Sequence, residues 1–304
     1  MADDLDNLMI QGPERRSRLA VFLLVILLVT AGIATVVLIR SCRASTRRSA
    51  QALSRPVSAQ PTVKPQQRAW QTIRALYANK SLAEARAKGY ELLAQSLDQE
   101  LRQSLETLLG QINFELLLSP AAMPEKEEYL VQSGDNLERI ARKFKTTAEL
   151  IKKSNALDRP MLHPGDRLLV FKGACQLAIS KSRNDLVLSV NNRFFKRYRV
   201  GTGKYGSTPV GTFVITDKIE QPDWWRPDGK MVPYGDKENI LGTRWMSLTA
   251  TGETPAVRGY GLHGTWQPET IGQQASAGCV RLANNNAEEL FLLLPLGTPV
   301  AIAE

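Results

Sequence analysis

Hydrophobic and polar positions divide the chain into segments of different periodicity. The first is apolar and uncharged over residues 19–39, with Arg18 before it and Arg40 after it. At about 1.5 Å of rise per residue, a helix of this length spans roughly the 30 Å of a bilayer core. No small-residue cleavage pattern follows. The segment therefore predicts an uncleaved transmembrane anchor, with a short tail over residues 1–18 and a Pro-containing linker over residues 40–66.

A change to helical spacing follows the linker, over residues 67–118. Apolar residues recur at three- and four-residue steps from Trp70 and Ile73 onward. Two further helical stretches are expected over residues 82–94 and 99–117. Two or three helices bury little surface by themselves, so this helical segment is expected to be a spacer or a packing element rather than a binding site.

A compact module is predicted for residues 127–172, in the order strand, helix, helix, strand. Residues 129–131 form a short apolar strand, and a Ser-Gly-Asp turn leads into an amphipathic helix. Thr146, with Glu149 three residues later, has the spacing of a capping box for the second helix. A His-Pro-Gly-Asp turn then leads into a final strand.

Three runs in this module are recognisable: VQSGDNLERIARKF, IKKSNAL and HPGDRLLV. They resemble the LysM family over the whole module. The resemblance implies binding of N-acetylglucosamine-containing glycans, chiefly peptidoglycan, between the first strand–helix turn and the loop after the second helix. The residues implied on the two sides of that groove are Gly134, Asp135 and Asn136, and Asn155, Ala156 and Leu157. Helix capping is at least as good an explanation for Asp135 and Asn136.

Strand periodicity dominates residues 173–304, which predicts a mainly β domain. An irregular segment rich in Trp, Pro and Gly interrupts the strands over residues 221–245. Such a segment is typical of a loop that packs over a site. Near the end, Asn286 is expected to cap a short helix over residues 287–294.

Two rare residues in this domain suggest nucleophilic chemistry. Cys279 lies sixteen residues after His263, and an imidazole beside a thiol can take its proton. Gly278 allows a tight turn, so that the amides of Gly278 and Cys279, with Ala277, could converge as an oxyanion hole. Arg281 adds a charge that can depress the thiol pKa or hold a carboxylate. By themselves, a buried thiol and a core histidine explain the pair equally well.

Three motifs in order extend this pattern. They are VGTGKYGSTPVGTFVI, the Trp-rich segment with PYG and LGTRW, and HGT followed by SAGCVRL. Over about residues 174–303 they resemble the YkuD-type L,D-transpeptidases, which implies a β-sandwich catalytic domain. The resemblance implies Cys279 as nucleophile and His263 as base. The residues it implies as oxyanion hole and surrounding site are Ser276, Ala277, Gly278, Gly264 and Arg281. Those implied in substrate contact are Tyr260, Trp266, Trp224 and Trp225.

Two positions depart from the family pattern. Many members have a second histidine where this chain has Ala277, and a small polar residue where it has Trp266. The Ala277 variant is compatible with activity if that position contributes only its backbone.

The implied reaction is acyl transfer on the tetrapeptide stems of peptidoglycan, with release of D-alanine and formation of 3–3 cross-links, without metal or cofactor. If water is the acceptor the enzyme is an L,D-carboxypeptidase, and if a protein amine is the acceptor it anchors proteins. A non-catalytic peptidoglycan tether is the alternative outside enzymes. Because peptidoglycan lies outside the cytoplasmic membrane, residues 41–304 are expected outside and residues 1–18 inside, in a single-pass protein.

The net charge of +9 adds little to this picture. Nine basic and four acidic residues lie within residues 1–65, so more than half of the excess flanks the apolar segment. No basic element interleaved with aromatic residues remains in the folded part, which argues against nucleic-acid binding. Three cysteines give no disulfide framework. The sequence leaves the oligomeric state open.

Overall fold

The computed structural model describes residues 64–158 and 161–304. The predicted tail, anchor and nearly all of the linker lie outside these residues. Within the described ranges, no helix is both long and apolar enough to cross a membrane.

Three helices open the described chain, as the spacing predicted: α1 Pro65–Ala78, α2 Leu82–Leu93 and α3 Gln99–Leu118. The side chain of Asp98 caps α3 by accepting a hydrogen bond from the amide of Leu101 at 2.8 Å.

The LysM-like module has the predicted strand–helix–helix–strand order: β1 Lys126–Leu130, α4 Leu137–Phe144, α5 Ala148–Ser154 and β2 Arg167–Phe171. Its strands pair antiparallel, and its buried side chains form a core of their own: Tyr129, Val131, Ile140, Ala141, Ile151, Leu168 and Val170. The predicted cap of α5 at Thr146 is wrong by one residue. Thr147 accepts the hydrogen bond from Leu150 N at 3.1 Å, because Thr147 has the extended backbone that a cap requires.

Twelve strands and one helix follow: β3 Cys175–Ser180, β4 Asp185–Val190, β5 Arg193–Arg199, β6 Thr202–Gly203, β7 Gly211–Glu220, β8 Trp224–Trp225, β9 Met231–Val232, β10 Arg244–Ala250, β11 Gly261–His263, β12 Gln274–Ser276, β13 Val280–Arg281, α6 Asn284–Leu293 and β14 Pro299–Ala303. The mainly β prediction is confirmed. The predicted cap at Asn286 is wrong, since α6 begins at Asn284 and Asn286 lies inside it.

The strands do not divide into the two layers of a sandwich. Eight of them form one curled mixed sheet in the order β13-β11-β10-β7-β14-β3-β4-β5, and β6 with β12 and β8 with β9 form small pairs. The pairs β3–β14 and β11–β13 are parallel. Side chains alternate between buried and half-buried along β4, since successive residues of a strand point to opposite faces of the sheet.

The helical segment packs against the outermost strand of this sheet, β5. Its apolar residues share one core with the sheet, so it is a packing element of the β domain rather than a spacer. The hydroxyl of Tyr90 donates to the carbonyl of Phe194 at 2.7 Å, and the amide of Asn113 donates to the carbonyl of Phe195 at 2.8 Å. An edge strand exposes unpaired backbone groups, and the helices cover them here.

Candidate active site

Parallel pairing of β11 and β13 brings the histidine and the cysteine motif together. His263, the last residue of β11, lies opposite Arg281 of β13, and the amide of Leu282 donates to the carbonyl of His263 at 2.8 Å. Cys279 immediately precedes β13. Both Cys279 and His263 line one cleft of about 540 Å³. The strand pairing and this hydrogen bond thus bring Cys279 and His263, which are sixteen residues apart in sequence, into one site.

The turn before the cysteine is fixed by the side chain of Ser276. Its hydroxyl donates to the carbonyl of Cys279 at 2.7 Å and accepts from the amide of Gly278 at 3.0 Å. Gly278 has a φ of +139°, and a Cβ there would lie 2.5 Å from the ring of Tyr260. Only glycine fits this position.

These contacts correct the predicted oxyanion hole. The amide of Gly278 already donates to Ser276, so it is not free to bind an oxyanion. Among the described residues, the amides of Ala277 and Cys279 have no hydrogen-bond acceptor. The available donors therefore belong to Ala277 and Cys279, and Gly278 contributes conformation.

Thr208, which the sequence analysis did not single out, also holds this turn in place. Thr208 is buried, and its hydroxyl donates to the carbonyl of Gly278 at 2.8 Å and accepts from the amide of Gly203 at 2.7 Å. Thr208 lies in the STPVG run that carried part of the family resemblance. The motif could have pointed to the residue, but its partner Gly278 is 70 residues away.

His263 is a fully buried imidazole held in one orientation. Its Nδ1 lies 2.5 Å from the carbonyl of Gly264, which fixes the proton of the neutral ring on Nδ1 and leaves the Nε2 lone pair available. The ring stacks on Trp245 at 5.7 Å between centroids. Burial, with a smaller contribution from the charge of Arg281, lowers the pKa of His263 to about 4, against the opposing effect of hydrogen bonds with the backbone of Gly264 and Leu241.

Gly264 is a packing position. A Cβ at Gly264 would lie 2.2 Å from Oδ1 of Asn284, which accepts a hydrogen bond from the amide of Thr243 at 3.1 Å. Asn284 is the first residue of α6, so this contact fixes the end of β11 against that helix. Trp245 is the last residue of the LGTRW motif but was not assigned a role from the sequence, and Asn284 belongs to none of the three motifs.

The thiol of Cys279 is half-buried and donates to the carbonyl of Gly259 at 3.5 Å. Burial raises its pKa, while the Gly261 amide and the charge of Arg281 oppose that shift without reversing it. Arg281 thus lowers the thiol pKa, in the direction that the sequence suggested, but by less than burial raises it in the free protein. With the imidazole also neutral, thiol and histidine form a neutral pair at pH 7.

Arg281 carries hydrogen-bonding capacity that the described residues leave unused. It is 9% exposed, and its Nη1 donates to Gln267 at 3.4 Å, yet its buried Nε has no partner. A buried guanidinium donor without an acceptor is costly unless a ligand supplies one. This donor lies in the same cleft as Cys279.

The aromatic residues implied in substrate contact divide into two groups. Tyr260, Trp224 and Trp225 line the cleft, and β8 and β9 hold the two tryptophans in a small hairpin. Trp266 does not line it. Trp266 is 50% exposed and lies 6.3 Å, between ring centroids, from Tyr234.

The candidate glycan residues of the LysM-like module are engaged in holding the module together. Asp135 accepts from the hydroxyl of Tyr129 at 2.7 Å and from the amide of Gln132 at 2.9 Å. Asn136 caps α4 through the amide of Arg139 at 2.8 Å, and Asn155 exchanges two hydrogen bonds with the backbone of Leu169 in β2.

The other three positions contribute backbone shape or packing. Gly134 and Ala156 have positive φ angles of 83° and 48°, and Leu157 packs on the module's core. The two sides of the predicted groove are thus formed by ordered turns.

Comparison with known proteins agrees with this geometry. The model of the L,D-transpeptidase catalytic domain family, YkuD, matches residues 176–302, and the LysM domain model matches residues 129–171. The Bacillus subtilis protein YkuD, named as a candidate L,D-transpeptidase, is 30% identical over 181 residues, which cover 57% of this chain and 97% of that protein. Its YqjB, named likewise, is 34% identical over 46% of this chain and 73% of that protein.

A solved L,D-transpeptidase from Mycobacterium smegmatis matches with 20% identity and a TM-score of 0.36, over 46% of this chain and 64% of that one, which is too weak a likeness for any inference. The match to the B. subtilis YkuD protein, at 30% identity over 97% of its length, establishes the family of this chain. The chain belongs to the YkuD family of L,D-transpeptidases and carries a LysM domain ahead of its catalytic domain.

Proposed function

We propose that this protein is a membrane-anchored peptidoglycan L,D-transpeptidase that works by cysteine acyl transfer. The observation that carries the proposal is the cleft where Cys279, His263 and Arg281 meet, with an available imidazole lone pair, two free backbone amides and a buried guanidinium donor without a partner. The proposed substrate is the tetrapeptide stem of peptidoglycan.

In the first half-reaction, Nε2 of His263 takes the proton of the Cys279 thiol as the sulfur attacks the carbonyl carbon between the third and fourth stem residues. The amides of Ala277 and Cys279 bind the oxyanion of the tetrahedral intermediate. His263 then returns the proton to the departing nitrogen, D-alanine leaves, and a thioester remains. Because both groups are neutral before the attack, charge develops only along the reaction path, where Arg281 and the amides stabilise it.

In the second half-reaction, a side-chain amine of a neighbouring stem attacks the thioester. His263 accepts a proton from that amine, the Cys279 sulfur leaves as thiolate and is reprotonated, and a 3–3 cross-link is formed. Water in place of the amine would release a tripeptide stem instead. The LysM domain supports this assignment, since it would hold the glycan from which the stems project.

Mass spectrometry of the full-length protein in detergent, after incubation with a carbapenem, tests the chemistry. We expect one covalent adduct that maps to Cys279. The matched control is Cys175, a buried thiol whose pKa burial raises to about 12. Cys175→Ala should still form the adduct, and Cys279→Ala should not. A correctly folded protein that forms no adduct would overturn the proposal, and incubation with disaccharide–tetrapeptides separates cross-linking from D-alanine release.

The anchor and the location form part of the same proposal. We place residues 19–39 in the cytoplasmic membrane and residues 41–304, with the LysM module over 127–172 and the catalytic domain over 173–304, on the outer side. A reporter fused after Glu304 that is active only in the cytoplasm would contradict this topology.

A further inference from the structure

A second cleft lies at the junction of the LysM domain and the catalytic domain. It has a volume of about 760 Å³ and is lined on one side by the end of α4 and the turn after it, and on the other by β7 and residues 295–299. Neither the candidate active site nor the predicted glycan turns belong to it, since the turn of Gly134 to Asn136 lies at the opposite end of α4.

The charged residues that line this junction cleft are all basic. Its lining includes Arg142, Lys145, Lys172 and Lys218, and no acidic residue. Lys172 is paired with Glu127 at 2.7 Å. Among the described residues, Arg142 and Lys145 are exposed and have no ion-pair partner. Such a surface attracts an anion.

Lys218 reaches into the junction from β7. Its ammonium donates to the carbonyls of Phe291 and Leu294 at the end of α6, at 2.5 and 2.7 Å, and no carboxylate of the described chain pairs with it. Burial lowers the pKa of Lys218 to about 8. Glu220 acts on this ammonium electrostatically without forming a direct ion pair. A half-buried cation whose direct partners are carbonyls is further stabilised when an anion binds beside it.

Thr146 supplies the second, independent observation. It is 6% exposed, it lines the cleft, and its hydroxyl has no hydrogen-bond partner in the described structure. Its neighbour Thr147 is fully engaged, by the amide of Leu150 and the carbonyl of Leu292. A buried hydroxyl without a partner costs stability, and a ligand that supplies an acceptor recovers it.

The junction cleft and the active site lie on opposite faces of the sheet. Lys218 pairs with Met246 of β10, and Met246 pairs with Leu262 of β11. On the other face, Ile219, Trp245 and His263 pair in the same way and line the active-site cleft. A stem bound in the junction cleft is therefore a different stem from the one that reacts with Cys279.

We propose that the junction cleft binds a carboxylate of a peptidoglycan peptide stem, so that the strand held by the LysM domain is also held by its stems beside the catalytic domain. This inference rests on the proposed function for the identity of the ligand. Arg142, Lys145 and Lys218 supply the charge, and the Thr146 hydroxyl donates a hydrogen bond to the carboxylate.

Calorimetric titration of the full chain in detergent tests the site. The Cys279→Ala background prevents turnover, so the result does not depend on acyl transfer. The probes are a disaccharide–tetrapeptide with free carboxylates and the same compound with amidated carboxylates. Exposed charge pairs are individually weak, so Arg142→Gln with Lys145→Gln should reduce affinity for the charged probe about fivefold to tenfold. Affinity for the amidated probe should not change.

Two controls separate a binding site from a general effect. Lys64→Gln with Lys88→Gln removes the same charge from the helical segment, and it should leave both affinities within twofold. Thr146→Val keeps the side-chain shape without the hydroxyl, so the variant should unfold at an equal or higher temperature and yet bind the charged probe more weakly.

Two results would overturn the inference: equal affinity of the parent chain for charged and amidated probes, or a cleft double variant that binds like its control. A carbapenem adduct on Cys279 together with either result would leave the proposed function intact and remove only the junction site.

Discussion

The catalytic cleft and the LysM turns differ in what their polar groups do. In the LysM turns, Asp135, Asn136 and Asn155 each bond to backbone or side-chain groups of their own module. In the catalytic cleft, the Nε of Arg281 has no partner, and the amides of Ala277 and Cys279 have no acceptor within the described chain. The catalytic cleft thus keeps hydrogen-bond donors without acceptors, which a substrate can supply, whereas the polar side chains of the LysM turns already have their partners within the module.

The largest expected contrast is between the two described cysteines. Cys279→Ala should reduce acyl transfer by about 10³-fold or more, because the nucleophile is lost. Cys175→Ala should leave the rate within twofold, since that thiol is buried in the core. Rates of D-alanine release and thermal unfolding of both variants check this. Comparable losses in the two variants would mean that the effect is one of folding.

The second contrast concerns the turn that carries the nucleophile. Thr208→Val should lower the rate about 10- to 100-fold, because Gly278 and the adjacent amides lose their anchor. It should also reduce the free energy of unfolding by about 2 kcal/mol, since two buried backbone groups lose their partner. Thr208→Ser keeps the hydroxyl and should recover most of the rate. A serine variant as slow as the valine variant would contradict the positioning role.

The third contrast is in pH dependence. The pKa of His263 is about 4 in the folded chain and about 6.5 in an unfolded one, so the unfolded state takes up its proton first as the pH falls. Stability from this group is complete above about pH 6.5 and is lost between pH 6.5 and 4, by up to about 3 kcal/mol.

Urea unfolding at pH 7.5 and 4.5 measures that loss. His263→Asn should lose less stability between the two pH values than the parent chain, because the titrating ring is absent. Equal losses in both proteins would show that His263 does not titrate in this range. Carboxylates change both proteins alike, so the difference between them isolates the histidine.

The smallest contrast tests the LysM turns. Asn136→Ala should cost about 1 kcal/mol of unfolding free energy through loss of the α4 cap, while Asn136→Ser keeps a cap and should cost little. Carbapenem acylation should be unchanged in both. If the serine variant is stable but binds glycan much more weakly, then the Asn136 side chain contacts sugar. The contrast between the catalytic cleft and the LysM turns would then not hold at Asn136.

Local pattern was a good guide wherever the determining contacts are local. The three helices before the LysM domain, and the strand–helix–helix–strand order within it, follow from apolar spacing. Residue type alone did not identify the N-cap of α5, because Thr146 and Thr147 are both suitable and only the backbone geometry selects Thr147. The role of the helices was also hidden, since their partner β5 is some eighty residues further along the chain.

By itself, the sequence determined the chemistry available to this protein: the cysteine, histidine and arginine, the Ser-Ala-Gly turn, and the family to which they belong. Only the tertiary structure decided how those groups behave. It paired the Gly278 amide with Ser276 and placed Thr208 against the turn. It also raised the pKa of the half-buried thiol and lowered that of the buried imidazole, so that both are neutral at pH 7. Hydrogen-bond partners and burial depend on segments far apart in the chain, and a local pattern of residue types contains neither.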